Sequence, residues 1–220
     1  MLPVALAILL ATAAAANYCS LSSCPANSHT MCKYPDSGAA GACGTVHERG
    51  TSAADRAEIL SAHNAIRQAV RSGQYASENL PAAAAMPDLV WDNELATVAQ
   101  RWADQCASGH DQCRSVARFY VGQNLAWSWG GAKDWTNRAI GQWFHGELPN
   151  FQQSGLKFTS GRDPVSGGVI GHLTQVIWAG TTKVGCGYIA VQDDTWVKRT
   201  FACNYGPGGN IRNWNIYQAA

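Results

Sequence analysis

Eight cysteines, at positions 19, 24, 32, 43, 106, 113, 186 and 203 of 220 residues, constrain this chain more than any other feature. Structural zinc domains present cysteines as closely spaced C-x2-C pairs, and no such pair occurs, so the spacing favours four disulfides over a metal cluster. Each bridge contributes about 2–4 kcal/mol against unfolding, and such bridges persist only in an oxidising compartment. The first sixteen residues agree with that compartment. Met1 to Ala16 carries no charged side chain, is apolar from Leu2 to Leu10 and ends in Ala14-Ala15-Ala16, which reads as a signal peptide cut before Asn17. No later run is apolar for long enough to form a membrane-spanning helix. The expectation is a secreted, soluble, monomeric protein.

Charge removes further classes. The 16 Lys and Arg against 15 Asp and Glu leave a formal net charge of +1 with no basic run, so the footprint of a nucleic-acid binder is missing, as is a basic helix for membrane adsorption. Residues 17–50 hold four of the cysteines amid Gly, Ser and Pro, without hydrophobic periodicity. They read as a stapled extension to a single domain over residues 51–220.

Within that domain, Ser52-Ala53-Ala54-Asp55 reads as a variant capping box. Ile59, His63, Ile66 and Val70 share one face of the helix it opens, and Gly73 ends it. His63 on that stripe is either a satisfied core histidine or a ligand. Asp92 caps a second helix with Leu95, Val98, Ala99, Trp102 and Cys106 on its apolar face and Gly109 as its stop. That leaves His110 just past a helix end, pointing back across the domain or solvated in a loop. Gly122 to Trp127 is a short mixed segment before a Gly-rich turn. A third helix is predicted from Asp134 to Leu148, closed by Pro149, with Thr136, Ile140, Trp143 and Glu147 on its inward stripe. The Gly-, Ser- and Asp-rich loop over residues 150–170 is the segment expected to move. In Gly171 to Trp178, His172, Thr174 and Gln175 sit inside an apolar run, which marks one wall of a small polar cavity. Val184 to Val191 and Trp196 to Tyr205 form a hairpin that turns at residues 192–195. Cys186 and Cys203 lie nearly equidistant from that turn and pair across the strands.

Gly171 to Trp178, Cys203-Asn204-Tyr205-Gly206-Pro207-Gly208-Gly209-Asn210, Gly122-Gln123-Asn124 and His63-Asn64 occur in the order found in the CAP superfamily of cysteine-rich secretory proteins, antigen 5 and pathogenesis-related proteins. The chain resembles that superfamily from Thr51 to Tyr217, and its four-cysteine extension is similar to the antigen 5 branch from arthropod venoms and saliva. The resemblance implies an α+β fold, a three-layer α-β-α sandwich. It also implies the bridges Cys19–Cys32, Cys24–Cys113 and Cys43–Cys106 beside Cys186–Cys203, and a cavity lined by His110, Gln123, Glu147 and His172. Where many CAP domains carry Glu, this chain has Gln123; Leu173 and Thr200 replace an aromatic and an apolar residue flanking the signatures.

Two imidazoles and a carboxylate match the donor set of an open zinc site, with His110 and His172 as ligands and Glu147 and Gln123 lining the cavity. The other reading is a hydrogen-bonded network that ties loops together. Gln at position 123 removes a negative charge that would attract a cation. No cofactor is required; zinc is the ion the cavity can take. The sequence has neither H-E-x-x-H nor G-x-S-x-G, and His145-Gly146-Glu147 is not followed by P-C-x-x-C, so no catalytic residue is assigned and a zinc-dependent hydrolase is the weaker alternative. Binding is the stronger expectation, the partner being a host or prey protein or a small lipophilic ligand. The resemblance implies an apolar channel between the first and third helices; Ile59, Leu60, Ile66, Val70, Ile140, Trp143 and Phe144 line it or are ordinary core. A toxin acting on an ion channel, such as a voltage-gated channel, is the competing class. In cysteine-rich secretory proteins that activity is associated with a C-terminal cysteine-rich domain, and no further cysteine comes after Cys203, so such an effect would come from the CAP domain itself. Gly161-Arg162-Asp163 is in the wrong order for an integrin-binding triplet.

Overall fold

A computed structural model describes residues 17–220; the expected signal peptide lies outside the described residues. In chain order the elements are α1 (Thr30–Lys33), β1 (Val46–Arg49), α2 (Ala53–Arg71), β2 (Val90–Trp91), α3 (Asn93–Ala103), β3 (Gly122–Trp129), α4 (Gly141–Phe144), α5 (Gly171–Val176), β4 (Lys183–Asp193) and β5 (Trp196–Gly206). The sheet runs β1-β4-β5-β3, its ladders antiparallel, and β2 adds a short parallel pairing at the start of β4.

Side chains on a strand alternate between faces, and here the alternation sorts the core into two layers. Val184, Cys186, Tyr188 and Ala190 of β4 and Phe201, Cys203 and Tyr205 of β5 belong to the main cluster, with Ile59 and Ile66 of α2, Trp143 and Phe144 of α4 and Leu173 of α5. The intervening Ile189, Val191 and Ala202 join Leu125 of β3 and Ala99 and Ala103 of α3. Helices therefore cover both faces, which makes the three-layer α+β sandwich. Two glycines set the closeness of α3: a Cβ at Gly185 or Gly187 would stand 2.3 Å from the backbone at Ala96 or Gln100.

The disulfides Cys19–Cys32, Cys24–Cys113, Cys43–Cys106 and Cys186–Cys203 have Cα separations of 5.1, 5.8, 5.4 and 4.1 Å, and among the described residues no cysteine is free. The last joins residues directly opposite each other in the β4–β5 ladder. The cysteine-rich extension does more than append itself, since its final residues supply the edge strand β1.

The capping box at Ser52 forms, with Ser52 N–H on the Asp55 carboxylate at 2.6 Å and Asp55 N–H on Ser52 Oγ at 3.1 Å; past the helix end, Gly73 takes φ +77°. Several expectations need correction. Helix α3 stops at Ala103 rather than running to Gly109, because Asp104 is held by Arg49 at 2.6 and 2.7 Å and Cys106, left-handed at φ +53°, turns away to reach Cys43. The third helix is split: residues Thr136–Ile140 form a π turn in which Gly141 N–H donates to the Thr136 carbonyl, before α4. That carbonyl would lie 2.7 Å from a Cβ at position 141, so glycine is what admits the wider turn. The helix ends by Phe144, and Glu147 sits in the turn beyond it rather than on a helical stripe. The segment Gly122 to Trp127 is part of the edge strand β3. Within the loop over residues 150–170, the buried Asp163 carboxylate accepts the backbone N–H groups of Gln152, Gln153, Val165 and Ser166.

Candidate functional site

Strand β3 is an edge strand, and its consecutive polar residues Gln123 and Asn124 project to opposite faces of the sheet. Gln123 is on the α3 side, where its Nε2 donates to Asn204 Oδ1 at 3.1 Å and Asn204 Nδ2 donates to the Leu95 carbonyl of α3 at 3.4 Å. Asn124 is on the α5 side, where it donates to the His172 carbonyl at 3.1 Å and to the Tyr205 hydroxyl at 3.4 Å. The edge of the sheet thus stands between the loop carrying His110 and the helix carrying His172.

The Gln123 chain fixes the tautomer of His110. A backbone carbonyl only accepts, so Asn204 presents its NH2 to Leu95 and its oxygen to Gln123, which in turn presents its NH2 to Asn204 and its oxygen to His110. His110 Nδ1 lies 2.7 Å from Gln123 Oε1 and must carry the proton. Its Nε2 is left with the lone pair. Desolvation of the ring, with the nearby positive charge of Arg114, holds the His110 pKa below the usual histidine value despite the bond to Gln123 and the attraction of Asp111.

His172 reaches the same state by another route. Glu147 Oε1 is 2.5 Å from His172 Nδ1, while Oε2 accepts the backbone N–H groups of His172 and Leu173 at 2.9 Å each. The buried carboxylate thus occupies the N-terminus of α5, where both backbone donors and charge favour it. The Trp143 ring stacks on His172 with an interplanar angle of 16°. Again Nδ1 is spent, and among the described residues no hydrogen bond reaches Nε2 of either ring.

A cleft of about 300 Å³ opens beside the His110–Gln123 pair, lined also by Arg114, Tyr120, Gln175 and Asn210; His172 and Glu147 are not among its lining residues. Sequence reasoning named His110, Gln123, Glu147 and His172. The structure joins them as two pairs, His110 with Gln123 and His172 with Glu147; Asn124, next to Gln123 on β3, ties the strand to the His172 carbonyl. Sequence reasoning missed roles for Asn124 and Asn204, whose signal was a polar pair set into strands with otherwise apolar inward positions. It also missed Asn210, which bridges the Gly171 carbonyl and the Thr174 hydroxyl at 2.7 Å each. As to metal, the two free Nε2 atoms and their oriented rings suit a divalent ion. Among the described residues, however, no group of three or more His, Cys, Asp or Glu side chains is placed to hold one. Solvent or an outside ligand would have to complete the shell.

His63 is a core histidine: fully buried, with Nδ1 on the Ile59 carbonyl and Nε2 on the Tyr205 hydroxyl, both at 2.8 Å. Ile59, Ile66, Val70, Ile140, Trp143 and Phe144 are all buried in the main cluster, with Leu60 packed against it.

Residues 60–205 match the profile of the cysteine-rich secretory protein (CAP) family. The chain is 42% identical to Venom allergen 3 of Solenopsis invicta over 95% of its own length and 92% of the relative's. It is 38% identical to Venom allergen 5 of Vespa velutina over 92% of its length and 98% of the relative's. Among solved structures, that of NaASP2 with Zn2+ is similar with a TM-score of 0.65 at 31% identity, over 78% of this chain and 88% of that one.

Proposed function

This chain belongs to the CAP family of cysteine-rich secretory proteins, and from that premise we propose that it is an exported, non-enzymatic venom component of the venom allergen 5 type that takes a divalent metal ion reversibly on His110 and His172. Its four disulfides, and the lack of any membrane-crossing helix among the described residues, fit the extracellular setting. One observation carries the metal reading: each histidine spends Nδ1 on a fixed acceptor and keeps Nε2 open, the arrangement in which an outer carboxylate or amide orients a metal-binding imidazole. That the related NaASP2 was crystallised with Zn2+ supports the choice of ion.

The same geometry argues against turnover. A zinc hydrolase needs a carboxylate free to take a proton from bound water, and both oxygens of Glu147 are already committed to His172 and Leu173. The protein therefore acts by binding. Core packing of the seven apolar residues favours a host or prey protein over a lipid held between helices, because a lipid would have to displace side chains already in contact.

Calorimetry on metal-free protein tests the metal reading. Zinc should bind at one ion per chain, the His110→Ala, His172→Ala double variant should lose that binding, and Glu147→Gln should weaken it by about 10- to 100-fold. Absent heat, or undiminished binding in the double variant, would overturn it.

A further inference from the structure

A second cleft, of about 470 Å³, shares no lining residue with the first. It lies between Ser37 of the extension, Arg49 at the end of β1, Arg56 in the first turns of α2, and one face of α3 that includes Gln100, Arg101 and Asp104. Three guanidiniums therefore face one carboxylate. That carboxylate is spent: the Asp104 side chain is fully buried, gripped by Arg49 through two hydrogen bonds and by Gln100 Nε2 at 2.8 Å. The nearest other acids along the chain are spent as well, since Glu48 and Asp55 both bind Lys133 at 2.8 Å.

Arg101 and Arg56 are left over. Arg101 is 9% exposed, yet among the described residues its side chain's only hydrogen bond is from Nη1 to the Tyr34 carbonyl. None of its nitrogens is among the sealed, unsatisfied atoms, and its side chain lines the cleft. Arg56 lies over the Trp91 ring, 5.4 Å from its centroid, and among the described residues neither it nor Arg101 forms a salt bridge. A guanidinium withdrawn from bulk water calls for a counter-charge, and its planar fork matches the oxygens of phosphate and sulfate.

We propose that this cleft is a binding site for a small molecule bearing a phosphate monoester, a doubly charged oxyanion, with Arg101 and Arg56 on the anion and Arg49 held by Asp104 as the rear wall. Two uncompensated cations select a dianion over a simple carboxylate. The contrast with Arg67 supports the assignment. Arg67, at 0% exposure, is more deeply buried, and its fork is used up on the carbonyls of Pro87, Val176, Trp178 and Thr181, so the fold satisfies a buried arginine where no ligand is wanted.

The test is calorimetric titration of the disulfide-intact secreted chain, in a low-salt buffer free of phosphate and sulfate, with inorganic pyrophosphate in one arm and inorganic sulfate in the other. One saturable site per chain is expected, with affinity falling by about 10-fold or more in Arg101→Gln and Arg56→Gln. It should be unchanged in the His110→Ala, His172→Ala double variant, which separates this site from the metal cleft. Binding of pyrophosphate alone supports the phosphate ester; comparable binding of inorganic sulfate, itself a dianion, supports a site that selects by double charge. No saturable binding in either arm overturns the proposal, as does full affinity in both arginine variants. Should Arg101→Gln fail to fold, Arg56→Gln decides alone, since Arg56 lies on the surface.

Discussion

His63 and His172 differ by one partner. Both direct Nδ1 to an acceptor, the Ile59 carbonyl in one case and the Glu147 carboxylate in the other. Beyond that, His63 Nε2 accepts the Tyr205 hydroxyl in an environment closed to water, while His172 Nε2 has no partner among the described residues and its side chain is 31% exposed. A buried imidazole with both nitrogens satisfied has only the fold to serve; one oriented by a single bond keeps a lone pair for a ligand. The same contrast separates Arg67 from Arg101, so the molecule holds two kinds of interior polar group, finished and unfinished. Substitution and pH can attack each side of that division separately.

The largest effect should come from breaking the finished side. His63→Ala leaves a hole beneath α2, strips Tyr205 of its acceptor and removes the side-chain bond to the Ile59 carbonyl. By comparison with other large-to-small core substitutions carrying a lost buried hydrogen bond, it should cost roughly 3–5 kcal/mol, read from denaturant unfolding. A loss below about 1 kcal/mol would mean that the ring is neither tightly packed nor usefully bonded. His172→Ala, at the partly exposed site, should cost much less.

Acid provides the next largest effect. Burial pushes the His63 pKa down to about 4 from 6.5, outweighing the raising effect of its bond to Ile59. The unfolded chain therefore binds a proton at this residue below pH 6.5 when the folded chain does not. Stability is complete above that value and falls as pH drops towards 4, by about 3 kcal/mol from this group alone. Subtracting the stability–pH curve of His63→Gln from that of the parent should isolate this slope. Parallel curves would show that His63 does not set it.

How much of the molecule was legible in its sequence depends on which force placed each residue. The helix over His63 was readable because a capping box, a 3.6-residue apolar stripe and a stopping glycine all act locally. The facing cysteines of the hairpin were readable because register is set by a short turn. The split of the third helix was not, since the π turn at Gly141 preserves the apolar stripe while shifting the residues beyond it, which moved Glu147 off the helix and onto the N-terminus of α5. The residues of the cleft could be named by resemblance. Their wiring could not, because a directional amide chain from Leu95 through Asn204 and Gln123 to His110 links positions far apart in sequence, and no local pattern records it. The early end of α3 belongs to the same class, imposed by Arg49 and the bridge from Cys43.

The smallest predicted effect is also the most discriminating, because Gln123→Glu changes one atom type on the unfinished side. A carboxylate at 123 accepts from His110 Nδ1 more strongly than an amide oxygen does, so the His110 pKa should rise from its lowered position and zinc affinity should tighten by about 10-fold. The substitution also removes the donor that now reaches Asn204 Oδ1 and sets two oxygens against each other. Turning the Asn204 amide over would relieve that clash only by giving up its bond to Leu95, so about 1 kcal/mol of stability should be lost either way. Titration of the His110 ring by NMR, beside calorimetry with zinc, reads both effects in one variant. Tighter zinc binding with a modest loss of stability would show that position 123 trades metal affinity for a satisfied strand; an unmoved His110 titration would show that this ring is not oriented by the β3 edge.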